Sequence, residues 1–453
     1  MNSLLLIALT IIFSVIVAKL ILKKYNAIFI FFTSGIIIML IANALTGTPI
    51  LGKATLGSPF LDVFGFLSNS FKKNLSNIGM IIMIVTGYAA YMKHIQASTK
   101  LAYLASNPLS KIKNKYLVLS GMYLIGMALK LVITSQAGLS VLLLATVFPV
   151  LMAIGISPIT AASVLSLICI DYGPNDGSTI FMSGVLKMNV VDVFLQYQLA
   201  VAGSIIIALT LMIPIYYKYM DNRDKNLGTF KVQEISKLEN PAVPGFYALL
   251  PIIPLAIVFA DYFIPSIKID VITANIMGMF ITFVIEFIRR NDRNEIPKDI
   301  VVILRAMADI FVSVVAIIIS ASCFAQGIKM LGGISIFAHY VATMEGAVFL
   351  ILLALALITF LFAVIMGSGA APLFAFCPLT PEIATKLGVP AVTLILPMEI
   401  SSALGRACSP VCGAIIAIAG VAGIEPIQLV KRSAPMLILA FVINCVAAYL
   451  FNM

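Results

Sequence analysis

Asp171-Tyr172-Gly173-Pro174-Asn175-Asp176-Gly177-Ser178-Thr179 and Leu404-Gly405-Arg406-Ala407-Cys408-Ser409-Pro410-Val411-Cys412-Gly413 each interrupt a long apolar run with glycines, a proline and a few polar side chains. Proline cannot donate to the helical ladder and clashes with the turn before it, and flanking glycines relax the backbone. Each stretch is therefore predicted to split its helix at mid-membrane. Two further apolar stretches, 116–153 and 347–387, are about twice the length one spanning helix needs. Their centres are polar, Thr134-Ser135-Gln136-Ala137-Gly138 and Gly367-Ser368-Gly369-Ala370-Ala371. They read as re-entrant helical hairpins or as tight pairs of spans. Irregular backbone at membrane depth is tolerated only where protein buries it or it lines a water-filled cavity, so these four interruptions are candidate site walls.

The rest of the chain agrees with a membrane setting. Of 453 residues, 61% are hydrophobic and 11% charged, against about 25% charged in an average soluble domain. This excludes a soluble enzyme, a nucleic-acid-binding domain and a disulfide scaffold. The six cysteines fall in or beside apolar runs without a C-x-x-C pair, with only His94 and His339 to help them, so they read as packing residues rather than a metal site. No nucleotide-binding loop and no hydrolase motif occurs, so the chain is not read as an enzyme and any transport runs on gradients.

The predicted spans are 3–22, 27–47, 75–97, 158–188 with a break, 191–217, 244–265, 269–288, 299–333, 391–420 with a break, and 425–451. The first reads as a span rather than a signal peptide, because its lysines follow the apolar run and no basic region precedes it. With both termini outside and the hairpins returning to their side of entry, 20 lysines and arginines fall inside and 7 outside, leaving Lys130 and Arg406 at depth. That is the positive-inside pattern, and it accounts for the net charge of +10 without nucleic acid.

The halves repeat. Lys93 and Lys329 are 236 residues apart, as are Pro174 and Pro410, Gly177 and Gly413, and Gly184 and Gly420; Ser135 and Ser368, like Gly155 and Gly388, are 233 apart. Five crossings per copy would set the second copy upside down, the inverted-repeat plan of secondary transporters. The expected fold is an all-α polytopic membrane protein. Its first repeat covers 1–217 (scaffold helices about 1–97, hairpin 116–153, broken helix 158–188) and is followed by a basic cytoplasmic linker, 218–243. The second covers 244–453 (scaffold helices about 244–333, hairpin 347–387, broken helix 391–420). Helices restarting from both breaks and both hairpin tips would bring four N-termini together, a setting that favours an anion.

Within that setting Arg406 is the most informative residue. An intramembrane arginine is costly and its planar fork suits a carboxylate; the rival reading pairs it with Glu399 or with carbonyls at the break. Asn175 and Asp176 offer oxygens that can hold Na+, and Asp176 can equally carry a transported H+, or the pair can simply cap the helix that restarts at Gly177. Thr134, Ser135 and Gln136 at one tip, and Gly367, Ser368 and Gly369 at the other, offer hydroxyls and bare backbone to a ligand, or else close helix packing. Asp171, Asp309, Glu399 and Lys130 are further polar residues in apolar runs, expected to face protein or water. No other cofactor is implied.

Gly87-Tyr88-Ala89-Ala90-Tyr91-Met92-Lys93-His94-Ile95, Arg305-Ala306-Met307-Ala308-Asp309, Phe324-Ala325-Gln326-Gly327, Gly367-Ser368-Gly369, and the run from Leu404-Gly405-Arg406 through Ser409-Pro410-Val411 to Val430-Lys431-Arg432-Ser433 together resemble the anaerobic C4-dicarboxylate carrier family, DcuC, of the ion transporter superfamily. The resemblance covers nearly the whole chain. It implies a homodimeric carrier in the bacterial inner membrane, whose hairpins and broken helices slide past a static scaffold like an elevator. It implies fumarate, malate, succinate or aspartate as substrate, moved by exchange, uptake or efflux. For binding it points to Ser135, Ser368 and Arg406, with the first-break residues around Asn175 beside them; Ser409 belongs to the same motif as Arg406.

Two departures bear on the substrate. The second tip of the family usually continues Gly-Ser-Gly-Asn-Ala-Pro, whereas Ala370 stands here in place of the asparagine. The first break usually reads Pro-Thr-Ser-Gly-Asp, whereas Pro174-Asn175-Asp176-Gly177-Ser178 stands here. A site built to hydrogen-bond one group discriminates against ligands lacking it, so another organic anion or an amino acid is the alternative cargo. An anion channel on the same scaffold is the alternative class, and two occluding hairpins favour the carrier.

Overall fold

Helix boundaries in the computed structural model follow local chemistry. The model describes all residues except 1–2, 24, 53, 107–113, 228–240, 264–268, 291, 334–346 and 453. Asn26 caps the helix Ala27–Thr46 by accepting from the Phe29 amide, and Gly47 ends it in the left-handed conformation. Ser58 caps Pro59–Asn74, with Pro59 in the first turn, where its missing N–H costs nothing. Among the described residues the chain is helical throughout its ordered elements, with no strand.

Six of the described helices are long and apolar enough to cross a membrane: Ala27–Thr46, Val190–Asn226, Val271–Arg289, Arg293–Leu331, Val348–Met366 and Pro426–Asn452. Shorter apolar helices include Gly245–Ala260 and the two pieces that restart after the breaks, Gly177–Leu186 and Gly413–Ala422.

Two boundaries differ from the expected ones. The span placed at 75–97 begins at Pro59: Pro59–Asn74 runs through a five-residue π turn, Leu75–Gly79, into Met80–His94. Its first part is amphipathic, so hydropathy alone hides it. The helix expected to end at 217 continues to Asn226, because Asp221 near its end is buried against basic and hydroxyl partners. The first part of the basic linker is thus helical, and 228–240 lie outside the described residues, as do His339 and the end of the 244–265 span.

Further π turns are Val193–Gln198, inside Val190–Asn226, and Phe311–Val315, which interrupts Arg293–Leu331 and is the counterpart of Leu75–Gly79. Phe311–Val315 lies 236 residues after Leu75–Gly79, the offset that relates Lys93 to Lys329, and these two turns pack against each other. Around them the halves interlock. Met80–His94 packs on Ile300–Ile310 and Val271–Arg289, while Ala316–Leu331 packs on Ala27–Thr46 and Pro59–Asn74.

The remaining helices form the other wall. Lys115–Lys130 turns at 131–135 into Gln136–Thr146, and Ala347–Met366 turns at 367–369 into Ala370–Phe376. The broken helices are Pro158–Ser166 with Gly177–Leu186, and Val392–Ala407 with Gly413–Ala422. Val190–Asn226 and Pro426–Asn452 pack on each other and on the first parts of these broken helices.

Candidate functional site

Each interruption is held by its own residues. At the first break, the Asp176 carboxylate accepts from the Ser178 and Thr179 amides at 2.8 and 3.4 Å, capping Gly177–Leu186. The Gly173 amide donates to Gln198 Oε1 at 2.9 Å. At the first hairpin tip, Ser135 Oγ accepts from the Gly138 amide at 3.1 Å. At the second tip, Gly367 ends its helix with φ +66°, and a Cβ there would stand 3.1 Å from the Cys412 nitrogen; a left-handed residue pressed against the second break must be glycine. Ser409 Oγ accepts from the Val411 amide at 3.4 Å, and Gly413–Ala422 starts behind Cys412 with no side-chain cap.

These four turns enclose one cavity of about 390 Å³. The starts of all four short helices reach it, through Gln136, Gly177, Ala370 and Gly413. The opposite wall is mainly apolar, Ile82, Val85 and Ala89 with Ile310 and Val314, and the hydroxyl of Thr86 on it is spent on the Ile82 carbonyl.

Charges converge at its floor. Asp171 Oδ1 lies 2.9 Å from both Lys130 Nζ and Arg406 Nη2, and Lys130 Nζ lies 3.6 Å from Asp176 Oδ2. Lys130 also donates to the Thr134 carbonyl, and Arg406 to the Cys169 carbonyl at 3.2 Å. Two cations and two carboxylates thus form one buried set, which low-dielectric surroundings make interdependent. Glu399 is fully buried beside it; both its oxygens accept from Gln198 Nε2, at 3.2 Å.

Several polar atoms on this wall are left over. Both amide atoms of Gln136, Oδ1 of Asn175 and Nε of Arg406 are buried without a hydrogen-bond partner among the described residues. Buried polar groups are ordinarily paired. Their gathering at one cavity makes it the candidate ligand site.

Of the residues singled out in the sequence, Thr134, Ser135, Gln136, Asn175, Asp176, Gly367 and Arg406 line the cavity. Ser368, Gly369 and Ser409 stand behind the lining residues of the two turns rather than among them. A Cβ on Gly369 would meet the Ser402 carbonyl at 2.8 Å, so its small size serves packing, while buried Ser409 holds the turn at the second break and Ser368 is half-buried off the cavity wall. Arg406 pairs with Asp171 instead of Glu399, because Gln198 stands between Glu399 and the first break. The cap reading of Asp176 is observed directly, and its second oxygen faces Lys130. Lys130 and Asp171 belong to the site although sequence reading gave them no role. The signal that could have found them is the one that found Arg406, a charge inside an apolar run. His94 is engaged elsewhere, 3.1 Å from Asp299, and all six cysteines are buried.

Apolar helices long enough to cross a membrane, two of the apolar runs broken around one polar cavity, make an all-helical fold of the membrane class, and solved transporters share that fold. The Alcanivorax borkumensis YdaH transporter aligns with TM-score 0.61 over 93% of this chain and 97% of that one, and Neisseria gonorrhoeae MtrF, from a class of antimetabolite efflux pumps, with TM-score 0.58 over 92% and 94%; both are 13% identical. Sequence narrows this further. The family model described as C4-dicarboxylate anaerobic carrier, DcuC, matches residues 5–452, and the chain belongs to that family. The anaerobic C4-dicarboxylate transporter DcuC of Escherichia coli strain K12 is 32% identical over 439 residues, 96% of this chain and 94% of the relative. The probable anaerobic C4-dicarboxylate transporter DcuC of Vibrio cholerae is 32% identical over 443 residues, 97% and 95%. Family and relatives are membrane transporters, not enzymes.

Proposed function

We propose that this chain carries a small C4-dicarboxylate such as fumarate, malate, succinate or aspartate across the bacterial inner membrane, binding it in the cavity between the two hairpin tips and the two breaks. The observation that carries the reading is the gathering of unpartnered Arg406 Nε, Gln136 amide and Asn175 Oδ1 on one wall, reached by four helix starts. A guanidinium and helix N-termini receive carboxylates; the amides receive a carboxylate or a substituent between them. In this reading Thr134, Ser135, Gln136, Asn175, Gly367 and Arg406 contact the substrate. Ser368, Gly369 and Ser409 shape the turns that hold it.

The movement is alternating access of the elevator type. The matched π turns, the interlocked helices around them and the repeat offset support two inverted copies, with scaffold helices at about 1–97 and 244–333 and the hairpins and broken helices as the moving part. The mainly apolar scaffold wall, Ile82, Val85, Ala89, Ile310 and Val314, with the Thr86 hydroxyl turned to its own helix, offers a surface along which polar turns can slide without forming fixed bonds. A homodimer joined through the scaffold, both termini outside, and coupling to Na+ or H+ or to exchange complete the proposal, with Asn175 and Asp176 as the coupling-ion residues.

A second cargo is favoured by one observation: Ala370, which stands where the family pattern has asparagine, lines the cavity. Losing that amide fits another organic anion or an amino acid. The test is uptake of labelled succinate, fumarate and aspartate into proteoliposomes under a sodium gradient, a pH gradient, or preloaded dicarboxylate. Counterflow supports the carrier, and the gradient that accelerates uptake names the ion. Flux without saturation or counterflow would support a channel; no dicarboxylate flux from folded protein would move the search to the second cargo.

A further inference from the structure

One carboxylate oxygen of Asp171 serves two cations at once, standing 2.9 Å from Lys130 Nζ and 2.9 Å from Arg406 Nη2. The two cations are not equally dependent on it. Lys130, whose side chain is fully buried, has the Thr134 carbonyl and, at 3.6 Å, Asp176 as well. Arg406, whose side chain is one-fifth exposed and lines the cavity, has among the described residues Asp171 as its sole carboxylate partner, plus the Cys169 carbonyl. Glu399 is engaged with Gln198, whereas the ion pairs of Lys130 and Arg406 go to Asp171 and Asp176. If the bridge opens on the arginine side, Asp171 keeps Lys130, and Arg406 is free for an incoming carboxylate.

We propose that Asp171 is a tethered stand-in for a substrate carboxylate, pairing Arg406 while the site is empty and yielding it when substrate arrives. This rests on the reading of the cavity as the substrate site of a moving carrier. The consequence concerns which half of the transport cycle is possible. A guanidinium stripped of both water and counterion is strongly disfavoured in the protein interior. A carrier whose arginine is paired only by substrate is therefore held back whenever it is empty, and it can exchange but not return unloaded. Here each of the two cations of the empty set faces a carboxylate, so no guanidinium is left without a counterion and the unloaded site can cross. Asp171 makes the carrier competent for net flux, at the expense of competing with substrate for Arg406.

The test compares two fluxes of labelled succinate from proteoliposomes containing the purified full chain: efflux into medium with unlabelled succinate, which is exchange, and efflux into succinate-free medium, which requires the empty site to return. Wild type is expected to show net efflux within about ten-fold of exchange, since an arginine paired in both states meets similar barriers in both. Asp171→Asn is expected to lower the ratio of net efflux to exchange by about ten-fold or more, while the KM of exchange falls several-fold because the competitor is gone. Asp171→Glu keeps the charge and is expected to recover net efflux. A variant that loses both fluxes in parallel, or retains the wild-type ratio, overturns the inference. If Asp171→Asn does not fold, the wild-type ratio decides, and a value below about one-hundredth overturns it. Wild type without any counterflow would instead overturn the functional reading, and the inference with it.

Discussion

Arg432 Nη2 stands 3.1 Å from Asp221 Oδ1, with the aspartate fully buried and the arginine nearly so, at the place where the last helix meets the end of Val190–Asn226. Tyr116, Ser157 and Thr160 direct their hydroxyls at the same carboxylate, and Asp224 takes the arginine at 2.8 Å. The base of the first hairpin, the start of the first broken helix and two long helices are thereby tied at one carboxylate. Removing one member of a buried ion pair leaves the other uncompensated, at a cost of about 3–5 kcal/mol. Arg432→Leu should therefore lower the thermal midpoint of the detergent-solubilised protein sharply, and Arg432→Leu combined with Asp221→Leu should recover part of the loss. Equal midpoints for wild type and the single variant would show that the pair holds nothing together.

The helices Ala347–Met366 and Val392–Ala407 cross at Gly405, where a Cβ would be driven into the Phe360 carbonyl oxygen and would stand 2.9 Å from the Ala363 Cβ. Gly405→Ala should destabilise by about 1–3 kcal/mol through overpacking. Gly203, inside Val190–Asn226, has open space around its Cβ direction, so Gly203→Ala should be neutral or stabilise by up to about 1 kcal/mol through helix propensity. The two thermal midpoints measured side by side check the crossing; a shift of the same sign in both would contradict it.

Among the described residues neither amide atom of Gln136 has a partner, so its burial is a cost to the empty protein. Replacing it with a leucine should leave stability unchanged or raised, while the KM for dicarboxylate rises by about ten-fold, the worth of one hydrogen bond to a charged group. A purely structural glutamine would show the opposite pattern, lower stability with an unaltered KM.

Arg406→Lys keeps the charge but loses the planar fork and the Nε donor, and should weaken dicarboxylate binding by about ten-fold or more. Isothermal titration of the purified variant against succinate is the check. Unchanged affinity removes Arg406 from the site.

Asp176→Asn retains an oxygen able to cap Gly177–Leu186 but removes the charge facing Lys130. Stability should change little, and the sodium or proton dependence of uptake should change more than the choice of substrate. Identical responses to both ions in wild type and variant would exclude Asp176 from coupling.

Much of this molecule is written locally. Apolar length fixed the spans, and proline and glycine at 171–179 and 404–413 fixed the breaks, because a helix ends where its own backbone cannot continue. Polar tips at 134–138 and 367–371 marked the hairpin turns, and the boundaries of most helices fell within a few residues of where hydropathy put them. Pro59–Asn74 escaped because it is amphipathic, and hydropathy averages over both faces. Tertiary structure alone decided which charges meet. Arg406 and Asp171 are 235 residues apart, and nothing in either local pattern states that they share an oxygen with Lys130 or that Gln198 takes Glu399 instead. It also decided that Gly369 packs against Ser402 of Val392–Ala407 while Gly367, at the edge of the cavity, packs against Val411 and Cys412 of the second break, a distinction invisible in a run of three small residues. The physical reason is range. Helix breaking depends on a residue and its neighbours in the chain, whereas the pairing of buried charges depends on how separate helices dock, and every alternative pairing satisfies the same local rules.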